Sequence, residues 1–382
     1  MSNKVKVLTI VNSLEMGGIE KTLLSCVRVI NENNMAIEIY VCCFKKGGVL
    51  ERNFQDLGVK LIYISKTGSI LMDGIQLIFV LLKYNVDVVH SRFGFTSGGF
   101  VLAAKLLGRK VVVSLHNTVP STFNALKKNF LYRMFSFHLK VHRFITKHFA
   151  DNIVGHSRAN LNANYRGWES KSKYKLIYNG INLGDLSKPP RYAPELSRFI
   201  EGSTAVILHI GSFRSQKNHL FLIDCFRELI FEKPDAKLIL VGKGELEPVI
   251  KEKISDYGLS ENVFFAGQTQ EIQSFFEVAD LFFFPSKNEG LGNAVLEAQY
   301  KRVPVCCSNL APLAESTYKG YHQYFFDPEH QDEAVAQLKK IIEDSGTGRL
   351  NRTFDEAKNF VEANFSLENM VRNLVDLYLC KK

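Results

Sequence analysis

The chain has 382 residues, 46% of them hydrophobic and 23% charged, and a formal net charge of +9. Those figures exclude a disordered or fibrous chain and leave room for two or three globular domains. The cysteines form no C-x-x-C pair, and the neighbours Cys42-Cys43 and Cys306-Cys307 lie in apolar strand-like runs, which excludes a zinc site and fits a reducing compartment.

Residues 1–6 are polar and the apolar run 7–11 is too short for a secretory signal; the longest apolar run, 75–82, is too short to span a bilayer. A cytoplasmic protein is expected, at most peripheral on the inner face of the plasma membrane. The first strand is expected at 4–11 and the first helix at 21–30. Between them Gly17-Gly18 makes an anion-friendly junction, although it is neither G-x-G-x-x-G nor a P-loop. Further strands are expected at 36–44, 60–64, 87–90, 110–116, 152–155 and 175–178, mostly separated by helix-length segments. Such alternation implies a parallel, doubly wound sheet with ligands outside the carboxyl ends of its strands. His90 and His116 stand at two of those ends.

From residue 88 to 150 there is no acid, while Arg92, Lys105, Arg109, Lys110, Lys127, Lys128, Arg133, Lys140, Arg143 and Lys147 are all cationic. Between 125 and 149 the cations interleave with bulky apolar residues. That pattern fits either a core-packed helix with a solvated face or an element resting on an anionic membrane surface. No nucleic-acid module is present, and no nucleic-acid partner is expected.

Asn179-Gly180 closes the first series with a turn, and Pro189, Pro190 and Pro194 mark a linker. The second series has expected strands at 205–210, 236–241, 262–266, 281–284 and 303–307. The domains are read as 1–182, a linker 183–204, 205–364, and a C-terminal amphipathic helix within 365–382. Two open α/β domains facing each other would leave a cleft between their strand ends. In the second domain, Gly211 is followed by Arg214 and Lys217, a guanidinium fork and a point charge for phosphate oxygens. Gly242-Lys243-Gly244 and Gly267-Gln268-Thr269 are strand-end loops of the same domain.

The stretch 281–302, LFFFPSKNEGLGNAVLEAQYKR, carries the most chemistry. A buried strand runs into a glycine loop and then a helix expected from Ala294, with Asn293 as its N-cap. Unpaired amides of Gly290, Leu291, Gly292 and Asn293 at a helix N-terminus make an anion cradle. Glu289 and Glu297 bracket it, and carboxylates accept hydrogen bonds from hydroxyls. An anion cradle between two hydroxyl acceptors suits a nucleotide-sugar.

Taken together, Gly17-Gly18-Ile19-Glu20, His116, Asn179-Gly180-Ile181, Gln216-Lys217-Asn218-His219, Val241-Gly242-Lys243-Gly244 and Pro285-Ser286 leading through Glu289 to Glu297 resemble the family-4 glycosyltransferases of the GT-B fold, especially the exopolysaccharide, capsule and O-antigen enzymes. The resemblance runs almost the full chain. It implies two Rossmann-like domains facing across a cleft, the first for the acceptor and the second for the donor, with the last helix crossing back to the first. It also implies retaining transfer from a nucleotide-sugar, with UDP as the expected base carrier. Glu289 would then bind the donor sugar, Glu297 the ribose, Lys217 the diphosphate and His116 the sugar. Gly17 and Gly18 would approach phosphate or acceptor, and the loop ending at Thr269 would flank the base. Family members usually carry Arg directly after the glycine at 211, where this chain has Ser212; Arg214 is the expected substitute. No D-x-D occurs, so neither metal nor other cofactor is expected, and cations and amides would stabilise the departing diphosphate. Two rivals share these features: a nucleotide-sugar 2-epimerase of the same architecture, and a non-catalytic sugar-nucleotide or glycolipid binder.

Overall fold

The computed structural model describes residues 4–65, 67, 69–116, 130–191, 193–269 and 271–380, with side chains in the helix that begins at Phe130 described from residue 136 onward. The chain divides into two compact units. One is Met1–Gly180 together with Leu367–Lys382, and the other is Ile181–Ser366.

The first unit holds a seven-stranded sheet, all of whose pairings are parallel. Its strands are β1 (Val5–Ile10), β2 (Ile37–Cys43), β3 (Lys60–Tyr63), β4 (Val88–Ser91), β5 (Lys110–Leu115), β6 (Asn152–Gly155) and β7 (Tyr174–Leu176), in the order β3-β2-β1-β4-β5-β6-β7. Alternate residues decide which face each side chain covers. Leu8, Val89, Val111 and Val113 pack with Leu77, Leu81, Val101, Ala104 and Ile145 of the helices Ile70–Tyr84, Gly98–Leu106 and Phe130–Phe149. Their neighbours Val7, Val88 and Val112 pack with Cys26 and Ile30 of the helix Gly18–Glu32 and with Leu374 and Tyr378 of the helix Leu367–Leu379. A sheet buried on both faces needs continuous apolar strands, and VVV at 111–113 supplies one.

The last helix therefore fills the core of the first unit. Lys110 Nζ donates to the carbonyls of Leu377 at 2.5 Å and Cys380 at 2.7 Å, placing a cation on the negative end of that helix.

The second unit holds a five-stranded parallel sheet of β8 (Val206–Ile210), β9 (Lys237–Val241), β10 (Val263–Gly267), β11 (Leu281–Phe284) and β12 (Val305–Cys307), in the order β10-β9-β8-β11-β12. Within residues 183–204, read as linker, lie two short helices, Leu183–Leu186 and Pro194–Ile200, the second opened by Pro194.

Several boundaries shift by a residue or more from the sequence reading, and three bear on the chemistry or the ends of the elements. The first helix begins at Gly18, not Lys21, because Gly17 caps it in extended conformation with no side chain needed. The helix after β11 begins at Asn293, so Asn293 is not its cap. Gly292 takes that position at φ 86°, a left-handed conformation that glycine adopts at little cost. Strand β7 ends at Leu176, not Tyr178. All seven cysteines are free thiols, six of them buried.

Candidate active site

Sheet order reverses once in each unit, between β1 and β4 in the first and between β8 and β11 in the second. Loops leaving the carboxyl ends of two such strands splay to opposite sides and leave a crevice where ligands bind. In the second unit those loops are 211–218 after β8 and 285–292 after β11. They carry the sequence-expected Lys217 and Glu289.

The two loops are tied by backbone. Lys287 N donates to Gln216 O at 2.9 Å, and Gln216 Nε2 donates to Asn288 O at 2.6 Å. Across that joint Lys217 Nζ meets Glu289 Oε1 at 2.5 Å, with the two side chains 17% and 8% exposed. The ammonium also lies 4.6 Å from the centre of the Phe284 ring. A hydrogen-bonded ion pair held over an aromatic face is mostly desolvated, so each charge depends strongly on the other. Among the described residues, no acceptor takes the amides of Gly290, Leu291, Gly292 or Asn293, directly beside Glu289. These amides open the helix Asn293–Tyr300, whose second turn carries the half-buried Glu297.

Glycines bring the neighbouring loops close. A Cβ at Gly242, whose φ is 152°, would sit 2.0 Å from Gly211 O, and one at Gly244 would sit 2.4 Å from Phe213 O. A Cβ at Gly211 would sit 3.3 Å from the methylenes of the Lys217 stem. The Thr269 hydroxyl accepts from Glu271 N at 3.0 Å and so shapes its own loop. The structure thus gathers Gly211, Lys217, Gly242, Glu289 and the 290–293 amides. Arg214 is exposed, with no side-chain partner among the described residues.

Sequence reasoning missed what lies beneath Lys217. His209 and His219 are buried, with ring centres 4.7 Å apart, and three of their four ring nitrogens have no partner. The fourth, His209 Nδ1, donates to Phe283 O at 2.9 Å. Burial, reinforced by the nearby charge of Lys217, holds His219 down to about 4 and His209 well below the usual histidine range. Two neutral imidazoles thus underlie the cation.

The remaining expected residues belong to the first unit. His116 closes β5 and stacks on His156, ring centres 4.6 Å apart. His90 is a structural residue, its Nδ1 2.6 Å from the Tyr378 hydroxyl and its Nε2 2.8 Å from Ser114 Oγ. At Gly17 and Gly18 the helix N-terminus is occupied: Glu20 folds back so that its Oε2 lies 2.2 Å from where a Gly17 Cβ would be. The basic stretch is partly consumed inside the unit. Lys105 pairs with Asp151 at 2.8 Å, Arg143 donates to Asn164 O at 2.8 Å, and Arg92 is buried. Asn117 and the side chains of Lys127, Lys128 and Arg133 lie outside the described residues.

Residues 16–185 match the model of Glycosyltransferase Family 4, and residues 197–362 match that of Glycosyl transferases group 1. The chain is 26% identical over 377 residues to the capsular polysaccharide biosynthesis glycosyltransferase CapH of Staphylococcus aureus, covering 93% of this chain and 98% of CapH. It is 24% identical to the UDP-Gal:alpha-D-GlcNAc-diphosphoundecaprenol alpha-1,3-galactosyltransferase of Escherichia coli, covering 80% of this chain and 78% of that enzyme. In fold it resembles Anabaena HepE in complex with UDP, at a TM-score of 0.79 with 18% identity, covering 98% and 99% of the two chains. Two Rossmann-like units with a basic, glycine-lined switch point in the second define a GT-B glycosyltransferase. The chain belongs to the family-4 glycosyltransferases, its first half matching one family model and its second half the other.

Proposed function

We propose that the protein transfers a sugar, with retention, from a UDP-sugar to a lipid-linked saccharide in cell-surface polysaccharide synthesis. The Lys217–Glu289 pair beside the open 290–293 amides carries this reading. The amides and Lys217 take the diphosphate, whose negative charge grows as the glycosidic bond breaks. Glu289 accepts from donor sugar hydroxyls, Glu297 holds the ribose, and the loop at Thr269 flanks the base. Entry of the donor replaces the Lys217–Glu289 bond with bonds from each partner to the ligand, so neither charge is left bare. The cations and amides do the work a bridging metal does elsewhere. The leaving phosphate, rather than a protein carboxylate, takes the acceptor proton in a front-face reaction. CapH and the Escherichia coli galactosyltransferase bear names consistent with this substrate class.

The first unit supports work at a membrane surface on the cytoplasmic side. No helix among the described residues is long and apolar enough to cross a membrane. The helix Ile70–Tyr84 nevertheless exposes Leu71, Met72, Ile75, Phe79 and Leu82, all on one face, and Phe137 and Phe144 are exposed on Phe130–Phe149. Apolar residues in that density, near cations, suit the headgroup boundary of an anionic bilayer.

Thermal protection by a panel of UDP- and GDP-sugars tests the donor. Glu289→Ala should abolish transfer while the fold survives, a loss of at least about a hundredfold; wild-type turnover would sink the assignment. Product analysis separates transfer from 2-epimerisation, and donor binding without any turnover would identify a binder. Neutralising Lys127, Lys128, Arg133 and Lys140 should lower sedimentation with anionic liposomes, and unchanged sedimentation would remove the membrane role.

A further inference from the structure

The first sheet has its own switch point, and Arg92 stands on it, immediately after β4. The residue is 7% exposed, its Nε is buried without a partner, and among the described residues no carboxylate or carbonyl accepts from its guanidinium. The Cys26 thiol beside it is held in the neutral form by burial, pushed up to about 11. Arg92 is hydrogen-bonded to that thiol, but a neutral thiol does not offset its charge. An arginine cannot shed that charge, so leaving it buried without a counter-charge is costly unless a ligand supplies one.

The next two strand ends add orphaned polar atoms. His156 follows β6 and is 4% exposed. Its Nδ1 donates to Ile177 O at 2.9 Å, which leaves Nε2 bare and without a partner. His116 follows β5, stacks on His156, and also has a buried Nε2 without a partner. Burial, with the Arg92 charge adding to it, depresses His156 to about 4 and His116 well below its usual range. Four residues beyond His156, Asn160 is 1% exposed, and neither atom of its amide is paired. Glu20 is the acid whose charge reaches Arg92, but its carboxylate is turned back on its own helix start. The chain therefore gathers orphaned polar atoms around a cation here and withholds its own anion.

We propose that Arg92, with His156 and His116 beside it, forms a socket on the first unit for an oxyanion of the acceptor, a phosphoryl group or a carboxylate. The proposal rests on the reading that this unit takes the acceptor and narrows that acceptor to an acidic one. A guanidinium fork matches two oxygens of such a group, and an arriving anion favours protonation of His156, which then donates as well.

Inorganic phosphate and acetate, titrated against the full-length protein at constant ionic strength, provide the test, read as thermal stabilisation. Wild type and Lys217→Met should both show a saturable phosphate response, because Arg92 and Lys217 belong to different units. Arg92→Met should weaken that response by about tenfold or more, and its ligand-free Tm should equal or exceed wild type, since an unpaired charge is removed. If Arg92→Met does not fold, Arg92→Lys should still weaken phosphate binding, because an ammonium lacks the fork. Saturable acetate with no phosphate response would assign a carboxylate. A phosphate response equal in wild type and both Arg92 variants, or one lost entirely with Lys217→Met, would overturn the socket. UDP protection is read in parallel. Its absence from wild type would sink the donor reading without touching the phosphate result.

Discussion

At the scale of single residues the donor loops join opposed charges that are nearly dry. Glu289 is 8% exposed and pairs with Lys217. Removing one member strands the other, so Glu289→Ala should destabilise the ligand-free protein by roughly 2–3 kcal/mol. The double change Lys217→Met with Glu289→Leu should recover most of that, as measured by urea unfolding; additive losses would mean the pair is not coupled. The buried histidines give a second expectation. His219 binds its proton in the unfolded chain near pH 6.5 but resists it in the folded one down to about 4. Its neutral form thus favours folding in full above pH 6.5, and this contribution is lost as pH falls toward 4, up to about 3 kcal/mol. His219→Phe should flatten the fall of Tm between pH 7 and 4.5, and an unchanged slope would show that the other buried histidines dominate.

Elements were largely legible before any coordinates. The run Leu281–Phe284 reads as a buried strand because four consecutive apolar residues bounded by Pro285 allow little else. All twelve described strands fall where apolar runs and turn signals put them. Helix starts were less legible. Asn293 has the right side chain for a cap, but the chain needs a left-handed residue one position earlier, and that need appears only when the loop packs against Leu313. Lys217 and Glu289 were each readable from their junctions. That they touch depends on sheet order, which no local pattern encodes. Arg92 was one cation among ten until its burial set it apart. The same close packing makes Gly242 a sensitive position: Gly242→Ala would force a Cβ against Gly211 O and a φ that side chains avoid. A loss of at least about 2 kcal/mol, together with loss of UDP protection, is expected. A variant with wild-type Tm would show that the loop relaxes freely.

At the scale of the molecule, the first unit is discontinuous in sequence while the second is one unbroken segment, Ile181–Ser366. Leu367, Met370, Val371, Leu374 and Tyr378 fill one face of the first sheet. A protein ended at Ser366 should expose Val7, Val88, Val112 and Val154 to water and accumulate as aggregate, whereas residues 181–366 alone should stay folded. Soluble, monomeric 1–366 with a native Tm would refute this. Family resemblance pointed to the returning helix, and its alternating apolar face foretold burial, but the amount of core it supplies was visible only in the packing.

That returning helix also imposes an order on synthesis. Residues 4–180 leave the ribosome first, yet one side of their sheet stays only partly covered, by the helix Gly18–Glu32, until residues 367–379 emerge. The middle segment, with all its contacts in hand, matures while the earlier one waits. The interval in between is when the nascent chain is most exposed to chaperones and proteases.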